Sequence, residues 1–223
     1  SGAHLGPDWH RAGRATPSHS TLCLGGSSSA RLGKPVKTSG VYRELLVEAP
    51  KIVPVEMSQT AEGVKFEGAH SGYVPPFGLT HARKLSLSLD GRSLAGEDLL
   101  IALDDTAGNA GETVLSDDIN PNVDFQIRFH LHPEVDAALD LGGTTVAIAA
   151  KSGEIWIFRH ESKLSLTIEP GVYLEKNQPI PRSSRQIVLS GMVNDALTRA
   201  QWSLSKTQDT AMAIRDLRLE ELR

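Results

Sequence analysis

Val64-Lys65-Phe66-Glu67-Gly68-Ala69-His70 and Lys84-Leu85-Ser86-Leu87-Ser88-Leu89 carry apolar residues at every second position. Val64, Phe66 and Gly68 share one face with His70, while Lys65 and Glu67 share the other. Leu85, Leu87 and Leu89 alternate with Lys84, Ser86 and Ser88 in the same way. A period of two marks strands with one buried face. The intervening Ser71–Thr80 holds Gly72, Pro75, Pro76 and Gly78, the residues of a chain reversal. Antiparallel pairing across it sets Val64 beside Leu87, Phe66 beside Leu85 and His70 beside His81, which keeps every apolar side chain on one face.

The same logic extends outward. Asp90-Gly91 turns a hairpin toward Leu94, and Ser152-Gly153 is a two-residue turn signal between Val146–Ala150 and Ile155–Phe158 that sets Ile148 opposite Ile157. Glu161-Ser162 then leads to Leu164–Ile168, with Leu166 beside Ile157 in a three-stranded meander. Thr21–Leu24, Val41–Val47, Leu99–Leu103, Phe125–Leu131, Gln186–Leu189 and Gln201–Leu204 read as further strands. Ser27-Ser28-Ser29 and Gly108-Asn109-Ala110-Gly111 read as surface loops. About ten strands imply an all-β fold, a multi-stranded antiparallel β-sandwich over residues 1–206. Residues 207–223 form a tail in which Thr207 or Asp209 is placed to cap a helix over Ala211–Leu222, with an end free to fray as the alternative.

Composition narrows the function classes. Hydrophobic residues make up 39% of 223, enough with 20 glycines to bury an ordinary core. With 23 Lys and Arg against 27 Asp and Glu the net charge is −4, so no basic field points to a nucleic-acid partner. No apolar run reaches the ~18 residues of a membrane span, and the first twenty residues lack the apolar stretch of a signal peptide. Cys23 is the only cysteine, which excludes an internal disulfide framework and a multi-cysteine zinc site and leaves the compartment open. Within its apolar strand it reads as a small core residue. The opening Ser1-Gly2-Ala3-His4-Leu5-Gly6-Pro7 reads as the start of a chain cut from something longer.

Eight histidines stand out beside three tyrosines and three tryptophans. His70, His81 and Arg83 share the apolar face at the loop end of the first hairpin, with Tyr73 on the adjoining loop. Polar groups in that position need either partners or a wet cleft. One reading is a cleft edge where cationic or proton-transferring groups meet an anionic substrate; the other is a hydrogen-bonded cap over the end of the core. His130 and His132 form an H-x-H pair, a weak metal signal. Phe125, Ile127, Phe129 and Leu131 take the core side of that strand, so Arg128, His130 and His132 belong to a solvated or groove face. His19 is uninformative in isolation, and Trp9 and His10 lie in an irregular opening. No G-x-S-x-G, P-loop or G-x-G-x-x-G motif is present.

Several segments, in order, resemble the C-terminal β region of the heparinase II/III-like family. They are Arg14-Ala15-Thr16-Pro17-Ser18-His19-Ser20-Thr21-Leu22 leading to Ser28-Ser29-Ala30-Arg31; Ala69-His70-Ser71-Gly72-Tyr73 with Phe77-Gly78-Leu79-Thr80-His81-Ala82-Arg83; Gly96-Glu97-Asp98; Arg128-Phe129-His130-Leu131-His132-Pro133; and Val172-Tyr173-Leu174 with Arg185-Gln186-Ile187-Val188-Leu189-Ser190-Gly191. The resemblance covers roughly Arg11 to Leu204. It implies the supersandwich-like β part of a bacterial polysaccharide lyase, periplasmic or cytoplasmic, that works against an N-terminal (α/α) toroid. The active cleft would lie between the two parts. Family members cleave uronate-containing polymers such as heparin, heparan sulfate or alginate by β-elimination. A Tyr or His base removes the C5 proton there, while polar groups offset the uronate carboxylate.

Carried over by position, His19 corresponds to the histidine of the family's A-H-[NS]-T segment, a zinc ligand whose His and Asp partners lie upstream of this chain. The implied metal residue is therefore His19, with zinc as cofactor of the parent and an incomplete site here. The substrate-binding residues, His70, Tyr73, His81 and Arg83, come from the cleft-edge reading of the hairpin and not from the family, whose catalytic residues fall outside the chain. The segment at His70 usually reads His-Asp-Gly-Tyr, and Ser71 replaces the Asp. Two readings follow: a lyase domain that binds an acidic polysaccharide and is inactive alone, or a non-catalytic carbohydrate-binding or structural sandwich.

Overall fold

The computed structural model describes residues 5–103, 122–160, 163–176 and 178–208. After a six-residue helix, Pro7–Ala12, come short strands β1 (Leu22–Leu24), β2 (Arg31–Leu32), β3 (Val36–Thr38), β4 (Val41–Arg43), β5 (Leu46–Glu48) and β6 (Val55–Gln59). Longer strands follow: β7 (Gly63–His70), β8 (Leu79–Ser88), β9 (Ser93–Ala102) and β10 (Val123–His130). The remainder are β11 (Asp136–Leu139), β12 (Thr145–Ala149), β13 (Ile155–His160), β14 (Ser165–Tyr173), β15 (Arg182–Val193) and β16 (Leu197–Gln208).

Two antiparallel sheets make an all-β sandwich. One has the order β1-β10-β15-β14 and the other β11-β12-β13-β16-β9-β8-β7-β6. Phe125, Ile127, Ile187 and Leu189 of the smaller sheet are fully buried against Leu100, Val146, Phe158 and Trp202 of the larger. Alternation along each strand delivers these side chains to the interior. Phe129 packs edge-on against Trp202 at 4.7 Å between ring centres, locking the layers near their middle.

The first hairpin has the register expected from its alternation: Val64 faces Leu87, Phe66 faces Leu85 and His70 faces His81. Asp90-Gly91 turns β8 into β9, with Leu87 opposite Leu94. Elsewhere the local pattern misleads. Ile148 lies opposite Trp156, not Ile157, because the chain turns through three residues, Lys151, Ser152 and a left-handed Gly153. A one-residue slip exchanges faces, and the observed register sends Val146, Ile148 and Phe158 inward together. The meander is also corrected: β14 pairs with β15 in the opposite sheet, so Leu166 meets Leu189, while β13 pairs with β16.

Val41–Val47 is not one strand. Ser39 and Gly40 both take positive φ and fold β4 onto β3, whereas β5 pairs with β2. This stretch exposes large apolar groups, among them Val36, Tyr42, Leu46, Val55 and Met57. Thr207 lies inside β16 and is not a helix cap. The expected loop at Gly108–Gly111, the Glu161-Ser162 turn, Asp209 and the helix over Ala211–Leu222 lie outside the described residues. No helix among the described residues is long and apolar enough to cross a membrane.

Candidate functional site

Register places the central groups. His70 and His81 face each other at the end of the β7–β8 hairpin, and two residues further along β8 Arg83 faces Asp98 of β9. All four side chains point into the sandwich. Asp98 is 1% exposed and accepts four hydrogen bonds. His81 Nε2 (2.8 Å) and Arg83 Nε (2.8 Å) donate to Oδ1, while Arg83 Nη2 (3.0 Å) and Trp202 Nε1 (3.0 Å) donate to Oδ2. Burial alone would raise this carboxyl, but the bonds from His81 and Arg83 outweigh it and hold the pKa below its ordinary value.

Proton positions follow from one fixed donor. The Gly72 N–H donates to His70 Nδ1 (3.2 Å), so the neutral ring carries its proton on Nε2 and gives it to His81 Nδ1 (3.1 Å). His81 then carries its proton on Nε2, directed at Asp98. The result is an ordered line of donors from the loop to a buried carboxylate.

Tyr73 and His81, expected to touch substrate, are 0% and 4% exposed. The phenol donates to the Leu22 carbonyl at 3.0 Å, and burial pushes its pKa up. With their polar atoms committed inside, both residues fit the hydrogen-bonded cap better than the cleft edge. His70 and Arg83 are only partly buried.

Arg83 links this network to the segment that presents His19. Its Nη1 donates to the Ser20 carbonyl at 2.7 Å. On the other side, His130 Nε2 donates to the Pro17 carbonyl at 3.0 Å, and its backbone N–H donates to Ser20 Oγ at 3.0 Å. Thr16 is tied at the base: its N–H donates to Ser28 Oγ and its Oγ1 accepts from the Ser29 N–H, each at 3.0 Å. A Cβ at Gly72 would sit 2.4 Å from the Ser29 carbonyl, so glycine lets the two loops close. His19 is exposed on a single turn braced from both sheets.

Beside it runs a groove of about 460 Å³ lined by Trp9, Pro17, His19, His130, Tyr173 and Gln186, among others. His130 is thus on a groove face, and burial holds its imidazole below the ordinary value. His132 packs edge-on against Tyr173 at 4.9 Å. Among the described residues no three His, Cys, Asp or Glu side chains converge as metal ligands, so the H-x-H pair gains no third member and His19 alone does not fit a zinc ion. Cys23 is buried with its thiol directed to the Ser27 carbonyl, the core residue its strand implied.

Sequence reasoning did not single out Asp98 as a site residue, nor Trp202 or Gln186. Asp98 was within reach, because extending the Asp90-Gly91 hairpin sets it opposite Arg83 on an apolar face. Trp202 comes from a strand more than a hundred residues away and carried no local signal.

His70 has a consequence for pH. Burial, and then His81, holds its pKa down at about 4, against 6.5 for the free imidazole. Between those values the unfolded chain binds a proton that the folded chain refuses, so stability falls as pH drops from 6.5 toward 4. Solvent screening of this partly buried ring leaves an expected loss of about 1–2 kcal/mol. Urea midpoints across that window should fall less steeply for His70→Gln than for the wild type, and identical slopes would refute the assignment.

The fold has solved counterparts. The chain superposes on the heparan sulfate lyase HepC of Pedobacter heparinus with a TM-score of 0.63 at 12% identity, over 92% of this chain and 27% of that one. It superposes on Heparinase III with a TM-score of 0.56 at 13% identity, over 92% of this chain and 26% of that one. The sandwich thus shares the fold of the matching part of both chains. The family model described as Heparinase II/III-like, C-terminal, matches residues 1–208, and the chain belongs to that family. A curated relative, the FtsZ-localized protein C of Caulobacter vibrioides (strain NA1000 / CB15N), is 29% identical over 200 residues, which is 87% of this chain and 32% of that protein. The chain therefore spans about a third of the curated relative's length.

Proposed function

We propose that this domain forms one wall of the substrate cleft in a lyase that cleaves uronate-containing acidic polysaccharides by β-elimination, the opposite wall being an N-terminal (α/α) toroid. The observation that carries the reading is the bracing of His19. The backbone on either side of His19 is held from both sheets, by Arg83 at the Ser20 carbonyl and His130 at the Pro17 carbonyl, so the exposed histidine stands on a fixed segment from which it can meet something outside this chain. His19 would be one ligand of a zinc site only if residues elsewhere in the parent supplied the others, since the described residues alone do not hold the ion. The buried histidine–carboxylate network positions the cleft edge. Of the residues expected to bind substrate, His70 and Arg83 lie nearest to the role, while Tyr73 and His81 act from behind. The apolar side chains exposed between Val36 and Met57 suit a domain that packs against another.

The test is the ultraviolet absorbance of unsaturated uronate released from heparan sulfate, alginate and hyaluronan by the full-length protein and its His19→Ala variant. Product from the parent, diminished in the variant without a change in thermal midpoint, is the expected result. No product from any polymer, with zinc present and the protein folded, would overturn it.

A second reading is a non-catalytic carbohydrate-binding or structural module. It is favoured by the 29% identical relative, which is named for its localisation with FtsZ and not for a reaction. The isolated domain is silent in the lyase assay under either reading, so only the full-length protein separates them.

A further inference from the structure

The larger sheet ends at β6, and this edge lacks the guards that the other edges carry. Shortness, charge and proline are what keep an open edge from recruiting another strand. Among the described residues β1 has three residues, β11 opens on an exposed Asp136, and β14 carries Glu169 and Pro170. β6 has no lysine, proline or bulge, and every residue of Val55–Gln59 is exposed. The bonds at its two ends fix which way its backbone points. The Pro54 carbonyl accepts from the Ala69 N–H at 3.1 Å, and the Thr60 N–H donates to the Gly63 carbonyl at 2.8 Å. Residues 54 and 60 thus turn toward β7, and by alternation Val55, Met57 and Gln59 turn their N–H and C=O groups outward, where no strand of the described residues lies. The side chains of the same residues continue an apolar face. Met57 stands opposite Phe66, which stands opposite Leu85, and Val64 stands opposite Leu87. Val55 and Met57 are 59% and 69% exposed there.

We propose that β6 pairs antiparallel with β6 of a second copy of this chain, joining the two larger sheets into one. The strand is complementary to itself. Met57 is its midpoint, and a twofold axis there sets Met57 against Met57, Val55 against Gln59 and Glu56 against Ser58, so the whole strand is used. A register one step away would place Glu56 directly opposite Glu56, which like charges oppose. An axis normal to the sheet also keeps both apolar faces on one side, so the row of Leu85, Phe66 and Met57 runs on into the second copy. The inference goes beyond the lyase reading and does not rest on it, since no substrate or metal enters the argument.

The test is sedimentation velocity and thiol crosslinking of the full-length protein. The wild type should sediment as a dimer at micromolar concentration. Met57→Lys, a change at an exposed side chain that sets two ammonium groups face to face, should weaken association about tenfold or more. Met57→Cys reads the register. Residues opposed in this way lie about 5.5 Å apart at Cα, within reach of a disulfide, so mild oxidation should link the two copies. Gln59→Cys should not crosslink, because in this register its two sulfurs stand roughly 14 Å apart. Cys23 is buried and common to both variants. A monomeric wild type, association unchanged by Met57→Lys, or equal crosslinking at both positions would overturn the proposal. A monomer whose Met57→Cys thiol is shielded from maleimide would overturn it too, and would assign the edge to another segment of the parent.

Discussion

Asp98→Ala should destabilise the domain by about 3–5 kcal/mol, read as a fall in the urea midpoint at unchanged slope. The carboxylate is 1% exposed and balances Arg83 while accepting from His81 and Trp202. Alanine leaves a guanidinium, an imidazole N–H and an indole N–H facing a void, and the penalty is that of unpaired donors in a low-dielectric interior, not of one lost bond. Asp98→Asn keeps the shape but removes the charge and turns one acceptor oxygen into a donor amide against His81 and Arg83, so it should recover only part of the loss. The double change Asp98→Leu with Arg83→Met should cost less than the sum of the singles, because the two charges leave together. A penalty below about 1 kcal/mol for Asp98→Ala would show that the network contributes little.

Gly96→Ala is the second large effect, at about 3 kcal/mol. Gly96 and Trp202 are directly opposed on neighbouring strands, and a Cβ at Gly96 would sit 2.1 Å from the indole. No rotamer of alanine avoids this, so the ring has to shift. Its position is held by several contacts: Phe129 and Phe158 pack against it, the Arg83 guanidinium lies 5.8 Å from its centre, and Nε1 donates to Asp98. One methyl group therefore disturbs the core and the carboxylate network together. Near-ultraviolet circular dichroism should change along with the midpoint. A shifted midpoint with an unaltered tryptophan signal would mean that the backbone yields instead of the ring.

Much of the hairpin geometry is legible in the order of residues alone. Alternation in β7 and β8 specifies which faces are buried, and Asp90-Gly91 sets the turn, because both are local consequences of strand pleat and turn chemistry. The same reasoning fails at Ser152-Gly153, where two- and three-residue turns share a signature and differ by one register step. It also fails for Leu164–Ile168, since an alternating strand buries its face equally well in either sheet.

By itself the sequence determined an all-β fold, the facing of His70 and His81, and the groove side of His130. Only the tertiary structure decided that Tyr73 and His81 are internal, that Arg83 reaches the Ser20 carbonyl, and that His130 reaches the Pro17 carbonyl beside His19. The physical reason is range. Strand pairing and turns depend on neighbours along the chain, whereas burial and hydrogen-bond partners are set by strands that meet only when the two sheets close.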